Sequence, residues 1–240
     1  MPHPVHIRAK REDIAPLVVA AGDPARTEQL ASMLKDARTV NTNRGFLTYT
    51  GYYNGRRVTA STHGIGGPSS AIVFEELHML GAKSIVRLGT CGGLVKELSR
   101  GDFIVPTGAA HPGGFLRAYV PDGVLPPIPD TDLTAKLTEA CRSEGVRFRS
   151  GVVFSSDAFH KEDPLHLETW MSRGAIGVEM ECATLFTLAA LRGFRAAALL
   201  VLSDSYMKKA QNEMLAAEDL RAQIQRGAKI VLDTLTQSSR

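Results

Sequence analysis

Ser84-Ile85-Val86-Arg87-Leu88-Gly89-Thr90-Cys91-Gly92-Gly93 reads as a buried strand running into a glycine loop. A short apolar run of this kind suits a strand covered on both faces, as in the parallel sheets of α/β proteins. Leu17-Val18-Val19-Ala20-Ala21 followed by Gly22-Asp23-Pro24 repeats the plan. There Asp23 suits an N-cap and Pro24 the first helical position, predicting a helix from Pro24 to about Leu34. Arg87 is the anomaly. A guanidinium inside a buried strand needs an anion, and an internal carboxylate or a bound ligand would each serve. Gly89, Thr90 and the amides that follow are suited to cradle phosphate oxygens. Arg26, in the first turn of its helix, is disfavoured by the helix dipole unless an anion lies nearby; a surface arginine is the other reading.

Two further stretches place acids in apolar surroundings. Gly177-Val178-Glu179-Met180-Glu181-Cys182-Ala183 lies inside the apolar segment Ala175–Leu191. As a strand it would point Glu179 and Glu181 to one face. Alternatively it is a strand end running into a helix Cys182–Arg192, whose N-terminus favours acids. Ala196–Leu202 is wholly apolar and ends at Ser203-Asp204-Ser205. An acid at the C-terminal end of a buried strand is where α/β proteins hold ligands, although Ser-Asp-Ser also suits an N-cap.

His63-Gly64-Ile65-Gly66-Gly67-Pro68-Ser69 leads from a strand into a helix over Ser69–Leu80. Ser69 replaces the third glycine of a dinucleotide fingerprint and Pro68 interrupts the loop, which excludes a dinucleotide site. What remains is backbone that a ligand can approach closely. Asn54-Gly55 between Thr48–Tyr53 and Arg56–Thr62 predicts a hairpin with a type I′ turn. Arg44, in Asn43-Arg44-Gly45 just before it, reads as a solvated loop residue. Further on, the pattern predicts strands over Asp102–Ala110 and Phe148–Asp157 and helices over Thr131–Glu144 and Pro164–Arg173. His111 to Pro129 is a long loop, a lid or an interface. A final helix from about Leu215 to Leu235 carries Leu220, Ile224, Ala228, Val231 and Leu235 on one core-facing side.

The 240 residues, 44% hydrophobic, suffice for one α/β domain spanning 1–240. A formal charge of +3 argues against a nucleic-acid or membrane partner. No apolar run reaches the ~18 residues of a membrane span. Cys91, Cys141 and Cys182 are odd in number and form no CxxC, which predicts a reducing, cytoplasmic setting and no zinc. His111, His160 and His166 lack metal-ligand spacing and read as surface or loop residues.

Six pieces in order resemble the nucleoside phosphorylase-I family, which includes hexameric purine nucleoside phosphorylases and uridine phosphorylases. They are Gly22-Asp23-Pro24-Ala25-Arg26, Asn43-Arg44-Gly45, His63-Gly64-Ile65-Gly66 with Pro68-Ser69, Arg87 with Gly89-Thr90-Cys91-Gly92, Val178-Glu179-Met180-Glu181, and Ser203-Asp204. The resemblance implies a three-layer α/β/α domain with a mixed central sheet. It assigns Gly22, Arg26, Arg87, Gly89 and Thr90 to a phosphate site joined by Arg44 of a neighbouring subunit. Glu181 would take the ribose hydroxyls, with Glu179 beside it, Met180 against the sugar and a neighbour's His6 at the 5′ position. Phe159 would stack on the base, with Cys91, Gly92, Val178 and Ser203 lining its pocket and Asp204 protonating purine N7.

The activity so implied is reversible phosphorolysis of purine nucleosides to free base and ribose 1-phosphate, part of nucleoside salvage. Inorganic phosphate would be a substrate, with no metal or organic cofactor, and the assembly a hexamer built as a trimer of dimers. The arginine set sets the chain apart from water-using nucleosidases. Uridine phosphorylases, the alternative, read uracil with a Gln/Arg pair that His160–Trp170 does not offer. A nucleoside-binding protein without catalysis would need neither the arginines nor Asp204. One departure stands out: where hexameric purine enzymes carry an arginine after Ser203-Asp204, this chain has Asp219, with Arg221 beyond and Lys208-Lys209 before.

Overall fold

The computed structural model describes residues 3–161, 165–208 and 219–237. Its elements follow in order β1 (Leu17–Ala21), α1 (Pro24–Ala31), β2 (Lys35–Asn41), β3 (Thr48–Tyr53), β4 (Arg56–Thr62), α2 (Gly67–Met79), β5 (Ser84–Gly93) and β6 (Phe103–Ala110). Then come α3 (Thr131–Ser143), β7 (Phe148–Ser155), α4 (His166–Ser172), β8 (Gly177–Glu179), α5 (Cys182–Arg192), β9 (Arg195–Ser205) and α6 (Arg221–Thr236). Asp23 caps α1 by accepting the Ala25 N–H, with Pro24 in the first turn. Asn54 and Gly55 both take positive φ, as a type I′ turn requires.

The strands form a mixed sheet in the order β2-β3-β4-β1-β5-β8-β7-β6-β9, and β9 also pairs with β5. That last pairing closes β5, β8, β7, β6 and β9 into a ring, an arrangement that hydropathy does not encode. Strands β1, β4, β5 and β9 run parallel, so their C-terminal ends emerge together. Alternation along the strands sorts the core into two faces. Val18, Ala20, Ile85, Ala198 and Leu200 pack with Phe74 of α2 and Phe186 of α5. Val19, Ala21, Val86, Leu88, Leu199 and Val201 face Leu30 of α1, Leu137 of α3 and Ile224 and Val231 of α6. The result is the three-layer α/β/α form. All five residues predicted for the core face of α6 are buried.

Some elements differ from the sequence reading. Strand β2 has no apolar alternation, and its side chains are exposed except near Asn41. Among the described residues it pairs only with β3, antiparallel, and its charges suit a sheet edge. Strand β8 stops at Glu179, so Glu181 stands at the N-cap of α5 instead of continuing the strand face. Strand β9 runs through Ser203 and Asp204, so Asp204 is a strand residue and caps no helix. The expected starts of the helices at Pro164 and Leu215, and Lys209, lie outside the described residues.

Candidate active site

The strand ends surround a cleft of about 1390 Å³. On one side stand two cations. Arg26 of α1 is 9% exposed, and burial first, then the charge of Arg87, bring its pKa down to about 10. Its Nη1 reaches the Leu88 carbonyl at 3.4 Å, its Nε has no hydrogen-bond partner, and no carboxylate lies within 4 Å among the described residues. Arg87 donates to Glu181 and lies 3.5 Å from Glu179. Burial disfavours its charge, but Glu181 and Glu179 more than compensate and hold it protonated. Among the described residues its Nε and Nη1 have no partners. The two readings of Arg87 are thus realised together: it pairs internally and also lines the cleft. Gly22 and Thr90 line the same side. Gly89 lies beneath, where a methyl group would overlap the Arg87 guanidinium.

The acids divide their work. Glu179 accepts the Glu181 and Cys182 N–H groups at 2.8 and 2.9 Å, and the Ser155 hydroxyl as well. It therefore satisfies the first turn of α5, whose N–H groups have no partner within the helix. Glu181 accepts the Gly66 N–H at 2.6 Å on one oxygen and Arg87 on the other. Burial would raise its pKa, but Arg87, the leading opposing influence, keeps it below the ordinary value. Each oxygen retains a lone pair for a further donor. Met180 sits between the two acids, and Cys91, Gly92 and Val178 continue the wall.

Asp204, 6% exposed, also lines the cleft. Burial raises its pKa, against the Ser203 hydroxyl donating at 2.6 Å and the charge of Arg100. The β5–β9 register shifts between Cys91 and Gly92, so that Gly92 pairs with Asp204 and Ser203 is the extra residue. Such a bulge re-aims side chains. A methyl group on Gly92 would come 2.7 Å from the Tyr206 ring and 2.9 Å from Asp204 Oδ2, so this glycine keeps the wall open before the acid. Phe159, 63% exposed, lines the mouth with its ring available.

Sequence reasoning missed other walls of the cleft. Tyr206, two residues beyond Asp204, lies in it, as do His160, His166, Glu168 and Met171 on and before α4. The position of Phe159 just before α4 was the available signal for that wall. Gly64 and Ile65 form a rim, as the glycine-rich loop suggested. Among the described residues no group of three His, Cys, Asp or Glu side chains is arranged to hold a metal.

His6 and Arg44 are absent from the cleft lining. They are joined to each other instead: Asn43 Nδ2, beside Arg44, donates to the His6 carbonyl at 3.0 Å. Arg44 is exposed and holds φ +55°, uncommon for a residue with a side chain.

A sequence model described as the Phosphorylase superfamily matches residues 16–236. The chain belongs to that superfamily, within its nucleoside phosphorylases. This phosphorylase is 31% identical over 236 residues to the guanosine phosphorylase of Halorubrum lacusprofundi, with 96% of this chain and 97% of that one covered. It is 35% identical to the uridine phosphorylase of Treponema pallidum, over 98% and 95% of the two chains. A solved purine nucleoside phosphorylase of Toxoplasma gondii, in complex with immucillin-H, superposes with a TM-score of 0.88 at 29% identity, covering 98% and 96%. These relatives are nucleoside phosphorylases by name, enzymes of the pentosyltransferase class, and the mixed α/β form of this phosphorylase is theirs.

Proposed function

We propose that this single domain is a purine nucleoside phosphorylase, converting a purine nucleoside and inorganic phosphate to free base and ribose 1-phosphate. The observation that carries the reading is the pair of buried cations at the cleft. Among the described residues Arg26 has no carboxylate partner, and three nitrogens of the two guanidiniums make no hydrogen bond. An anion between them would offset the burial and the repulsion by Arg87 that lower the Arg26 pKa. Phosphate fits this need, held by Arg26, Arg87, Thr90 and the backbone at Gly22 and Gly89, with Arg44 entering from a neighbouring subunit.

Glu181 would accept the 2′- and 3′-hydroxyls of the sugar on its remaining lone pairs. Because Arg87 touches both Glu181 and the anion, sugar and phosphate would be positioned against each other. Met180 would pack on the sugar and Phe159 on the base, with Cys91, Gly92, Val178 and Ser203 beside it; Glu179 supports Glu181 by fixing the start of α5. Phosphate attacks C1′ as the glycosidic bond breaks, and its charge stabilises the cationic sugar. Asp204, protonated, would donate to purine N7, and its burial favours that form. The chemistry needs no metal or organic cofactor. With His6 and Arg44 lying outside the cleft of their own chain, we infer sites completed in trans in a homo-oligomer, a hexamer built as a trimer of dimers. The three free, buried cysteines accord with a cytoplasmic setting.

Purine is favoured over uracil by Asp204 and by the lack of a Gln/Arg pair after Phe159. Incubation with inosine, adenosine, methylthioadenosine and uridine, with and without phosphate, tests the reading. Release of purine only with phosphate is expected. Release of uracil alone would make the chain a uridine phosphorylase, release without phosphate a nucleosidase, and binding without release a nucleoside-binding protein.

A further inference from the structure

We propose that Glu76 is a positioning residue that fixes the tautomer of His6 and so makes the site selective for nucleosides with a free 5′-hydroxyl. The inference rests on the phosphorolysis reading above and on a neighbour's His6 meeting the 5′ position. Glu76 lies on α2, 7% exposed. Its carboxylate gathers four donors from one short segment. It accepts the backbone N–H groups of Val5 at 3.0 Å, His6 at 2.8 Å and Ile7 at 2.6 Å, and it lies 2.8 Å from His6 Nδ1. Burial works against its charge, but the Ile7 N–H and the His6 ring lead the contacts that hold it ionised.

An ionised carboxylate only accepts hydrogen bonds, so the proton of a neutral His6 ring must sit on Nδ1. Nε2 is then a lone pair. The ring is held from its other sides as well, edge-on to Phe46 at 6.3 Å between centroids, while Asn43 fixes the His6 carbonyl. A partly exposed imidazole locked in one tautomer presents a single acceptor. The group it matches is an O–H donor. A 5′-hydroxyl supplies one; a 5′-deoxy or 5′-methylthio group does not and would leave Nε2 unpaired.

The test compares kcat/KM for inosine and 5′-deoxyinosine in the intact protein and in two variants. The native protein should prefer inosine roughly tenfold or more, the usual consequence of leaving a sequestered acceptor unpaired. Glu76→Gln offers one oxygen to four donors, and its amide can donate to Nδ1 and move the ring proton to Nε2. Nε2–H can still donate to the hydroxyl oxygen, but four donors now compete for one oxygen and the ring loses its fixed orientation, so the preference should fall several-fold. His6→Phe keeps the ring volume against Phe46 and leaves the backbone bonds to Glu76 in place, and it should lose the same preference. Nitrogen-15 spectra of the ring should show Nδ1 protonated in the native protein and the proton redistributed in Glu76→Gln. If Glu76→Gln lowers both substrates equally and keeps their ratio, Glu76 only anchors the segment and the proposal is overturned; so would be a native ring with its proton on Nε2. Failure of native protein to release base from either substrate with phosphate would instead overturn the phosphorolysis reading.

Discussion

Asp204 is a carboxyl whose surroundings favour the proton, and that property can be tested one atom at a time. Asp204→Asn keeps the shape of the side chain and removes its acidity. Purine release should slow by roughly 100-fold or more, the usual contribution of a general acid, while the KM for phosphate stays nearly constant. Equal activity would remove Asp204 from the mechanism. The acid form is the one required, so kcat should fall as pH rises through the Asp204 pKa, which burial places above the ordinary aspartate value. The Ser203 hydroxyl opposes that rise. Ser203→Ala should therefore move the alkaline fall of the pH–rate profile to higher pH. A shift to lower pH, or none, would mean that another group sets the limb.

The strands and helix ends set where such side chains stand, and here stability and binding meet. In β5 the empty space over Gly89 is filled by the Arg87 guanidinium. Gly89→Ala should force that side chain aside, with overpacking of about 1–3 kcal/mol in urea unfolding and a raised KM for phosphate. If unfolding and KM are both unchanged, the guanidinium has another resting place. At the start of α5, Glu179→Gln should cost about 1–3 kcal/mol, since it removes a buried charge that holds two N–H groups and faces Arg87. Sequence showed much of this element layer, and its failures have physical causes. The apolar strands β1, β5 and β9, the Asn54-Gly55 hairpin and helix α5 were legible because burial and turn chemistry write themselves into residue type. Strand β2 was not, because an edge strand with exposed Lys35, Asp36 and Arg38 is held by backbone pairing that leaves no apolar period. The bulge at Ser203 and the wall made by Tyr206 and α4 were hidden likewise, since register and loop packing are relations between distant segments. The acids near Arg87 were readable as a pair but not as a division of labour: Glu179 to the helix end, Glu181 to the arginine.

At the scale of the whole molecule, the proposed use of His6 and Arg44 by a cleft that they do not line on their own chain is a question of assembly. The N-terminal segment is tied to α2 by Glu76 and to the Asn41–Asn43 turn by Arg8 N–H and the His6 carbonyl. His6 and the Asn43-Arg44-Gly45 turn are therefore held together as one surface by the chain's own fold. A closed two-fold interface would carry this surface of each protomer to the cleft of the other, so that every site combines Asp204 from one chain with Arg44 from its partner. Genetic complementation in vitro separates this from a site completed in cis. Arg44→Ala and Asp204→Asn proteins, each nearly inactive, are mixed in equal amounts and allowed to exchange subunits. In a mixed pair, the cleft of the Arg44→Ala chain has its own Asp204 and receives an intact Arg44, whereas the other cleft lacks both. Random exchange makes half of the pairs mixed, so about a quarter of the sites should regain native turnover. Activity that stays at the sum of the two parents after exchange, verified by mass on tagged chains, would confine Arg44 to its own subunit.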